Sequence, residues 1–293
     1  MKRKEVITEY GFLNLDKPSG LTSSTLVNKS KWLTGVPCGH MGTLDPLASG
    51  VLPVGIGNAT RLFDYFLEKE KVYIAEFTFG ETSDSLDNTM ETVKGGFIPT
   101  PDEIKSVLFS LCGEVDQIPP RYSAKNVNGQ RSYDLARAGI SFELAPKKVR
   151  IDEITLIGKS QKENAYDFRI RCGGGTYIRS IIRDMAEKLG TLGLMSGLRR
   201  VKSGFFTIEN AIPFSYLEKD PSIDELKEWI IPTERVLPYT TLTLTGKEEQ
   251  RFYNGMTVDT DKENGLYKIY KDERFYGVGE VKNGKAKTKT KLC

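Results

Sequence analysis

Apolar and polar residues alternate along several short stretches of the chain, as expected for β-strands that turn one face to a core. The clearest stretch is 71–80, where every second residue from Tyr73 onward falls on one face. Residues 149–160 and 164–175 show the same kind of pattern and predict a pair of strands. Residues 51–56 are apolar almost throughout, which predicts a buried strand.

Other stretches have apolar residues at helical spacing, together with residues that start or stop helices. They are 22–35, starting at Thr22 or Ser23 and ending at Gly35, 101–113, with Pro101 in its first turn, and 176–190, from Thr176 to Gly190. Shorter elements are predicted at 10–15 (strand), 16–20 (turn), 59–69 (amphipathic helix) and 119–140 (strand, turn at 128–129, strand, helix). Hairpins mixed with separate helices favour an α+β fold over a doubly wound parallel sheet.

The pattern changes near Pro232, after which short β-like segments follow one another, beginning with 241–246. This change predicts two domains, a larger one at 1–232 and a small, mostly β domain at 233–293. A chain of 293 residues is long enough for both.

Composition places the chain among ordinary globular proteins, with 39% hydrophobic and 28% charged residues. No apolar run is long enough to span a membrane, and the first residues do not resemble a signal peptide, so we expect a cytoplasmic protein. The four cysteines are scattered and the chain has one histidine, which argues against a zinc site and favours free thiols.

Basic residues are clustered rather than spread evenly. The segments 145–150 and 198–204 are basic, and the tail carries lysines without any acid. The tail lysines are Lys282, Lys285, Lys287, Lys289 and Lys291. Any one cluster can be a solvated surface, but several together favour a polyanionic partner such as nucleic acid.

The candidate chemistry lies in residues 39–57, a glycine-rich segment that contains the only histidine, His40. Asp45 is the only charged residue between Lys31 and Arg61. An aspartate before proline often begins a turn, which is one interpretation of Asp45. The other is a reactive carboxylate on a tight loop, and such a group needs a cation to hold it.

Arg179 is the best candidate for that cation, because it follows three glycines and lies at the edge of the apolar face of the helix at 176–190. The alternative is that Arg179 lies on the helix surface. The usual motifs of nucleotide-binding loops, serine hydrolases and zinc proteases are absent from the sequence, and residues 55–60 lack the full pattern of a dinucleotide site.

The chain resembles the TruB-type tRNA pseudouridine synthases, which modify uridine 55 in the T-arm of tRNA. The similarity extends over nearly the whole chain and is carried by segments 15–24, 39–62, 70–87, 119–140, 173–190 and 197–206. It implies a pseudouridine synthase fold with a mixed, mainly antiparallel sheet flanked by helices. The last 60 residues resemble a reduced PUA domain, a β module that binds RNA.

The resemblance also implies roles for particular residues. Asp45 matches the catalytic aspartate, Tyr73 the tyrosine that stacks on the target base, and Arg179 the arginine paired with the aspartate. His40 matches a histidine that packs into the RNA, Tyr177 and Leu198 match substrate contacts, and Lys17 lies in the Lys-Pro motif beside the pocket. Asp87 also lies in a family motif, but we assign it no chemical role. Lys125 lies one position before the lysine of the common family motif, so the role of that lysine is not transferred to it.

The reaction that the resemblance implies is an isomerisation, so we expect no cofactor and no metal. We expect a tRNA partner, recognised through its T-arm, no membrane, and a monomeric protein. Two other functions are considered: a non-catalytic RNA-binding or RNA-folding protein, and a cytosolic glycosidase. A pure RNA-binding protein gains nothing from a carboxylate where phosphates approach, and a glycosidase usually needs two carboxylates across one bond.

Overall fold

The structure is a computed structural model that describes residues 6–292, apart from Glu9, Glu68, Ala124, Asn128, Thr245 and Asp272. The ends of both predicted domains, at 1–5 and 293, and half of the turn predicted at 128–129 therefore lie outside the described residues. Among the described residues, no helix has both the length and the apolar character that crossing a bilayer requires.

The larger part of the chain alternates between strands and helices. In chain order the elements are β1 (Gly11–Lys17), α1 (Ser23–Thr34), β2 (Cys38–His40), β3 (Ser49–Ile56), α2 (Asp64–Leu67), β4 (Lys71–Phe79), β5 (Glu81–Thr82), β6 (Val93–Lys94), α3 (Pro101–Leu108), β7 (Gly113–Gln117), β8 (Asn126–Val127), β9 (Gln130–Arg131), α4 (Ser132–Arg137), β10 (Lys147–Lys159), β11 (Ala165–Cys172), α5 (Ile178–Leu189), β12 (Gly193–Ser203), β13 (Phe206–Thr207), β14 (Ile212–Pro213), α6 (Phe214–Glu218), α7 (Ile223–Lys227) and β15 (Ile231–Pro232). Short 3-10 helices lie at Gly57–Leu62, Phe109–Leu111 and Ile208–Asn210.

The C-terminal part is built mainly of strands, as predicted. Its elements are α8 (Thr233–Val236), α9 (Gly246–Tyr253), β16 (Val258–Asp259), β17 (Gly265–Lys271), β18 (Arg274–Lys282) and β19 (Lys285–Lys291). The four strands form one sheet in the order β16-β19-β18-β17, in which every pair is antiparallel.

The large sheet has the order β14-β1-β3-β12-β4-β11-β10-β7. Most neighbours are antiparallel, but β12 lies parallel to β3 and β14 lies parallel to β1. The expected mixed, mainly antiparallel sheet is therefore confirmed. Strand β12 is inserted between β3 and β4, which precede it in the chain by more than a hundred residues, and this insertion positions the site described below.

The α1 and α5 helices begin and end close to the predicted residues. The Thr22 side chain accepts a hydrogen bond from the Thr25 amide, and Gly35 ends α1 with φ of 73°. Helix α5 ends at Gly190 as predicted, but its cap is Tyr177 rather than Thr176. The cause is Gln117, whose side chain accepts from the Tyr177 amide at 2.8 Å and donates to its carbonyl at 3.1 Å.

Three predictions of local structure are only partly confirmed. The turn predicted at 16–20 is limited to Ser19 and Gly20, because Asp16 and Lys17 continue β1 and pair with β3. The predicted helix at 59–69 is a 3-10 helix followed by the four-residue α2. Among the described residues of the strand predicted at 241–246, Thr241 alone forms a bridge, and the helix α9, which begins at Gly246, was not predicted.

Two apolar clusters contribute to the packing of the C-terminal part. One lies within it and includes Phe252, Ile269 and Val281. The other is shared with the large sheet, because Val278 and Leu292 join the cluster that contains Phe12. Burial of such apolar surface is the main stabilising contribution to a contact between two parts of a chain.

Candidate active site

A cavity of about 340 Å³ opens beside strands β4 and β12 and is lined by the 41–45 loop and the start of α5. Among the predicted site residues, those that line it are Asp45, Tyr73, Tyr177, Arg179 and Leu198. Lys17 and His40 are not among the lining residues. The structure thus brings five of the predicted residues together, and it places Lys17 and His40 outside the cavity lining.

Asp45 and Arg179 form an ion pair at the cavity wall, with 2.7 Å between Oδ2 and the guanidinium nitrogen. The Asp45 side chain is 39% exposed, whereas that of Arg179 is 6% exposed. Arg179 also donates to the carbonyls of Ser85 and Tyr122, at 2.9 and 3.0 Å. A guanidinium fixed at three points keeps the open carboxylate in one orientation, and a charged partner strengthens that contact.

A second carboxylate, Asp87, lies on the buried side of Arg179, 3.7 Å from its guanidinium. Its Oδ1 accepts from the Ser85 hydroxyl at 2.7 Å and from the Thr89 amide at 3.1 Å. Asp87 is 5% exposed and does not line the cavity, so it balances the charge of Arg179 from within. The sequence interpretation gave Asp87 no role, and only its place in the family motif could have indicated this contact.

Tyr73 stands on β4 with 6% of its surface exposed, and it contributes both to the core and to the cavity wall. Burial raises the pKa of its hydroxyl, and the nearby positive charge of Arg200 opposes this effect. The phenol is therefore protonated at neutral pH. Leu198 on β12 and Tyr177 at the start of α5 complete the apolar walls of the cavity.

Lys17 is fully buried and holds the loop that follows Asp45. Its ammonium donates to the carbonyls of Pro18, Pro46 and Ala48, at 2.9, 3.2 and 2.6 Å. Burial lowers the pKa of Lys17 to about 8, although the negative charge of Asp45 raises it in part. These bonds are contacts within the protein, and a contact between Lys17 and substrate stays a prediction.

His40 is half-buried on β2, and burial lowers its pKa. Its Nδ1 atom is shielded from solvent and has no hydrogen-bond partner among the described residues. The Nε2 atom lies 3.5 Å from the Thr43 hydroxyl, at the edge of the cavity. The predicted packing of His40 into RNA remains a prediction.

Two cationic residues of the cavity wall, Lys71 and Arg200, were missed by the sequence interpretation. Arg200 was taken as part of a basic surface cluster at 198–204, but it is 1% exposed. Successive side chains of a strand point to opposite faces, so one member of the Arg199–Arg200 pair had to point inward. That alternation was the available signal.

Asp45 is the one carboxylate among the cavity-lining residues that the structure describes. The same described residues contain no group of histidine, cysteine and acidic side chains that could hold a metal ion. A single oriented carboxylate with cations and an aromatic ring can attack or deprotonate a sugar carbon and hold a flat base.

Comparison with solved structures identifies the fold. The chain superposes on chains of the structures titled "Crystal Structure of a Cbf5-Nop10-Gar1 Complex" and "Crystal structure of the archaeal box H/ACA sRNP Nop10-Cbf5 complex" with TM-scores of 0.67 and 0.69. These matches cover 96% and 97% of this chain, 86% of the solved chain in each case, and show 24% and 23% identity. At this identity the likeness concerns the fold alone.

Sequence relatives cover nearly the whole chain. The proteins named "tRNA pseudouridine synthase B" from Clostridium acetobutylicum and Clostridium kluyveri are 39% and 35% identical to it. The matches span 92% and 93% of this chain and 95% and 96% of the relatives. A third protein of that name, from Synechocystis sp., is 40% identical over 84% of both chains. Fold, site and relatives together place the chain in the class of pseudouridine synthases.

Family models narrow this class. Residues 31–178 match "TruB family pseudouridylate synthase (N terminal domain)", and residues 179–238 match "tRNA pseudouridylate synthase B C-terminal domain". Residues 240–290 match "Pseudouridine synthase II TruB, C-terminal". The chain belongs to the TruB family of pseudouridylate synthases, and the resemblance inferred from its motifs is confirmed.

Proposed function

We propose that the protein is a tRNA pseudouridine synthase that isomerises uridine 55 in the T-arm of tRNA. The observation that carries this proposal is the pair of Asp45 and buried Arg179 on the wall of a cavity that also presents Tyr73. The names of the relatives supply the tRNA substrate, and the family resemblance supplies the position of the uridine.

The reaction breaks the bond between N1 of uracil and C1′ of ribose, turns the base, and joins C1′ to C5. The proton leaves C5 and N1 gains one, so the atoms balance without an oxidant, a reductant or an energy source. In our proposal Asp45 starts the cleavage, either by attack on C1′ or by removing the C2′ proton. Arg179 keeps the carboxylate aimed at the sugar in both routes.

The target base must leave the RNA stack before it can reach Asp45, which costs a few kcal/mol. Stacking on an aromatic ring recovers about 1–3 kcal/mol per base, and Tyr73 presents such a ring in the cavity wall. In this proposal Leu198 and Tyr177 confine the base while it turns, and Lys17 fixes the loop behind Asp45.

We further propose a monomeric, cytoplasmic enzyme with a catalytic domain at 1–232 and a PUA-like RNA-binding domain at 233–293. The boundary between β15 and α8 supports this division, because β15 still pairs with β1. The lysines of β19 support the RNA-binding role, since Lys285 and Lys287 are exposed on one face of the strand.

A non-catalytic RNA-binding protein is less well supported. Such a protein has no use for a carboxylate that is 39% exposed between the cations Lys71, Arg179 and Arg200. A glycosidase would need a second carboxylate in the cavity, and Asp87 lies behind Arg179 instead.

The direct test is incubation of the protein with an unmodified tRNA transcript, followed by mapping of pseudouridine at single-nucleotide resolution. We expect modification at uridine 55 only. A transcript with cytidine at position 55 is the matched control, and it should stay unmodified while binding the protein. Absence of pseudouridine despite tRNA binding would support the non-catalytic alternative, and modification elsewhere would contradict the proposed target.

A further inference from the structure

We infer that Arg200 is a positioning residue that fixes the 41–45 loop, and with it Asp45, relative to Tyr73. Its guanidinium donates to the carbonyls of Val51 and Gly42, at 2.7 and 2.9 Å, and lies 3.5 Å from that of Thr43. One side chain thus holds the loop before Asp45 and the strand after it. This inference rests on the proposed function only where turnover is the readout.

The position of Arg200 in the sheet explains how it reaches both groups. In the strand register Arg200 pairs with Tyr73 of β4 on one side and with Gly50 of β3 on the other. The residue therefore lies between the strand that carries the ring and the strand that follows the reactive loop. Its positive charge also acts on the Tyr73 hydroxyl, against the effect of burial.

The contact between β12 and β3 is unusually close at this point. A Cβ atom on Gly50 would lie 2.2 Å from the Arg200 carbonyl oxygen, and Gly50 has φ of 99°. Only glycine fits such a position without displacing the backbone. The backbone of Arg200 therefore packs directly against β3. Its side chain, which is 1% exposed, reaches the 41–45 loop.

Burial of a guanidinium is costly unless its N–H groups are hydrogen-bonded, and Arg200 donates them to carbonyls of the 41–45 loop and of β3. The Val51 carbonyl belongs to β3, whereas those of Gly42 and Thr43 belong to the loop and lie outside any strand or helix. Without the guanidinium, the carbonyls of Gly42 and Thr43 lose these hydrogen bonds, and the 41–45 loop is free to change its conformation. The expected consequence is a misplaced carboxylate, which affects the chemical step more than RNA binding.

The test compares Arg200→Ala, Arg200→Lys and a control, Arg169→Ala. Arg169 lies on β11 outside the basic clusters, is exposed, and pairs with Glu153 at 3.7 Å away from the cavity lining. For each protein we would measure the single-turnover rate at saturating tRNA, the tRNA affinity, and amide hydrogen exchange of residues 41–51 without RNA.

We expect Arg200→Ala to slow the single-turnover rate by about tenfold or more, with tRNA affinity within about threefold of wild type. Exchange at 41–51 should become faster. Added guanidinium, at concentrations that do not denature, should restore part of the rate by entering the hole left beside the cavity. Arg200→Lys should be intermediate, and Arg169→Ala should match wild type and show no response to guanidinium.

A folded Arg200→Ala protein with a wild-type rate would overturn the inference. So would a variant whose amide exchange at 41–51 is unchanged and whose only defect is weaker RNA binding. If Arg200→Ala does not fold, Arg200→Lys decides: a lower rate with faster loop exchange supports the inference, and wild-type values for both overturn it. A wild-type protein without turnover would refute the proposed function, while the exchange data would still test the positioning role.

Discussion

The carboxylate of Asp45 depends on its charge for both of its proposed roles, and Asp45→Asn removes that charge while keeping the volume. We expect turnover to become undetectable, with tRNA affinity changed by less than about tenfold, or about 1.4 kcal/mol. Asp102→Asn is the control, because the Asp102 side chain is 93% exposed on α3. Turnover of Asp45→Asn within tenfold of wild type would refute the assignment.

Tyr73 offers a ring and a hydroxyl, and two substitutions separate them. Tyr73→Phe keeps the stacking face, while Tyr73→Leu loses both groups. Because burial raises the pKa of the phenol, it is protonated and suits a relay for the C5 proton rather than a resident base. We expect both variants to be strongly impaired in single-turnover product formation. Near-normal product formation by Tyr73→Phe would leave stacking as the only role.

His40 has a pKa below its ordinary value of 6.5, because burial disfavours its charged form. The unfolded chain therefore holds this proton more tightly than the folded protein, and stability falls as pH falls below 6.5. Well above pH 6.5 both states are neutral at this residue and no difference arises. We expect the melting temperature of wild type to drop more between about pH 7 and about pH 5.5 than that of His40→Gln.

Equal acid sensitivity of the two proteins would show that His40 binds its proton equally tightly in the folded and the unfolded state.

The same variant, His40→Gln, tests the proposed packing of His40 against the RNA. His40→Gln should slow the reaction moderately at neutral pH, since an amide can replace part of the packing. Complete loss of chemistry with intact tRNA binding would contradict a packing role.

Among the elements, α5 matters most, because it carries Arg179 and because Gln117 of β7 holds its capping residue, Tyr177. Gln117 is 2% exposed, and Gln117→Met removes the acceptor of the Tyr177 amide and one donor to its carbonyl at a half-buried position. We expect a loss of about 1–3 kcal/mol in the free energy of unfolding. Urea unfolding measures it, with the exposed Gln130→Met as control. A loss no larger than that of the control would show that the cap is dispensable.

Much of the element pattern could be read from the sequence where periodicity and terminal residues agree. Helix α1 is such a case, with Thr22 at its start and Gly35 at its end. The cap at Tyr177 could not be read, because its partner lies 60 residues earlier. Arg200 was misplaced for a similar reason, since composition shows a basic cluster while strand pairing decides which side chain turns inward.

For the whole molecule, the C-terminal sheet cannot simply be removed. Val278 and Leu292 share an apolar cluster with Phe12, and the Asn58 side chain donates to the Leu292 carbonyl at 2.7 Å. A truncation would expose that cluster and confuse loss of RNA contacts with loss of stability. A change of charge on β19 is the cleaner experiment.

Lys285 and Lys287 are exposed, whereas Lys289 pairs with Glu280 and Lys291 lies over the Tyr276 ring. We expect the double variant Lys285→Ser, Lys287→Ser to bind tRNA more weakly and with a flatter salt dependence, because fewer counterions are released. The modified position should not change, since phosphate contacts carry no sequence information. Affinity at two salt concentrations and product mapping check both expectations.

The control for this pair is Lys105→Ser, Lys188→Ser, two exposed lysines on α3 and α5. An unchanged salt slope in the β19 variant would show that this lysine face is only solvated. A shift of the modified uridine would show instead that the C-terminal sheet takes part in the choice of target.

The insertion of β12 between β3 and β4 has a consequence for how the protein reaches its native state. Strands β3 and β4 are close in the chain but do not pair with each other along their length, and the strand that joins them is made of residues 193–203. Pairing strands that are distant in the chain is slow, because the entropic cost of closing the intervening loop arises before the pairing contacts form. We therefore expect enzymatic competence to return only in the slowest phase of refolding, after most secondary structure has formed. During refolding from urea, stopped-flow circular dichroism would follow the secondary structure, and activity assays on samples taken at successive times would follow the return of turnover. The second should lag behind the first.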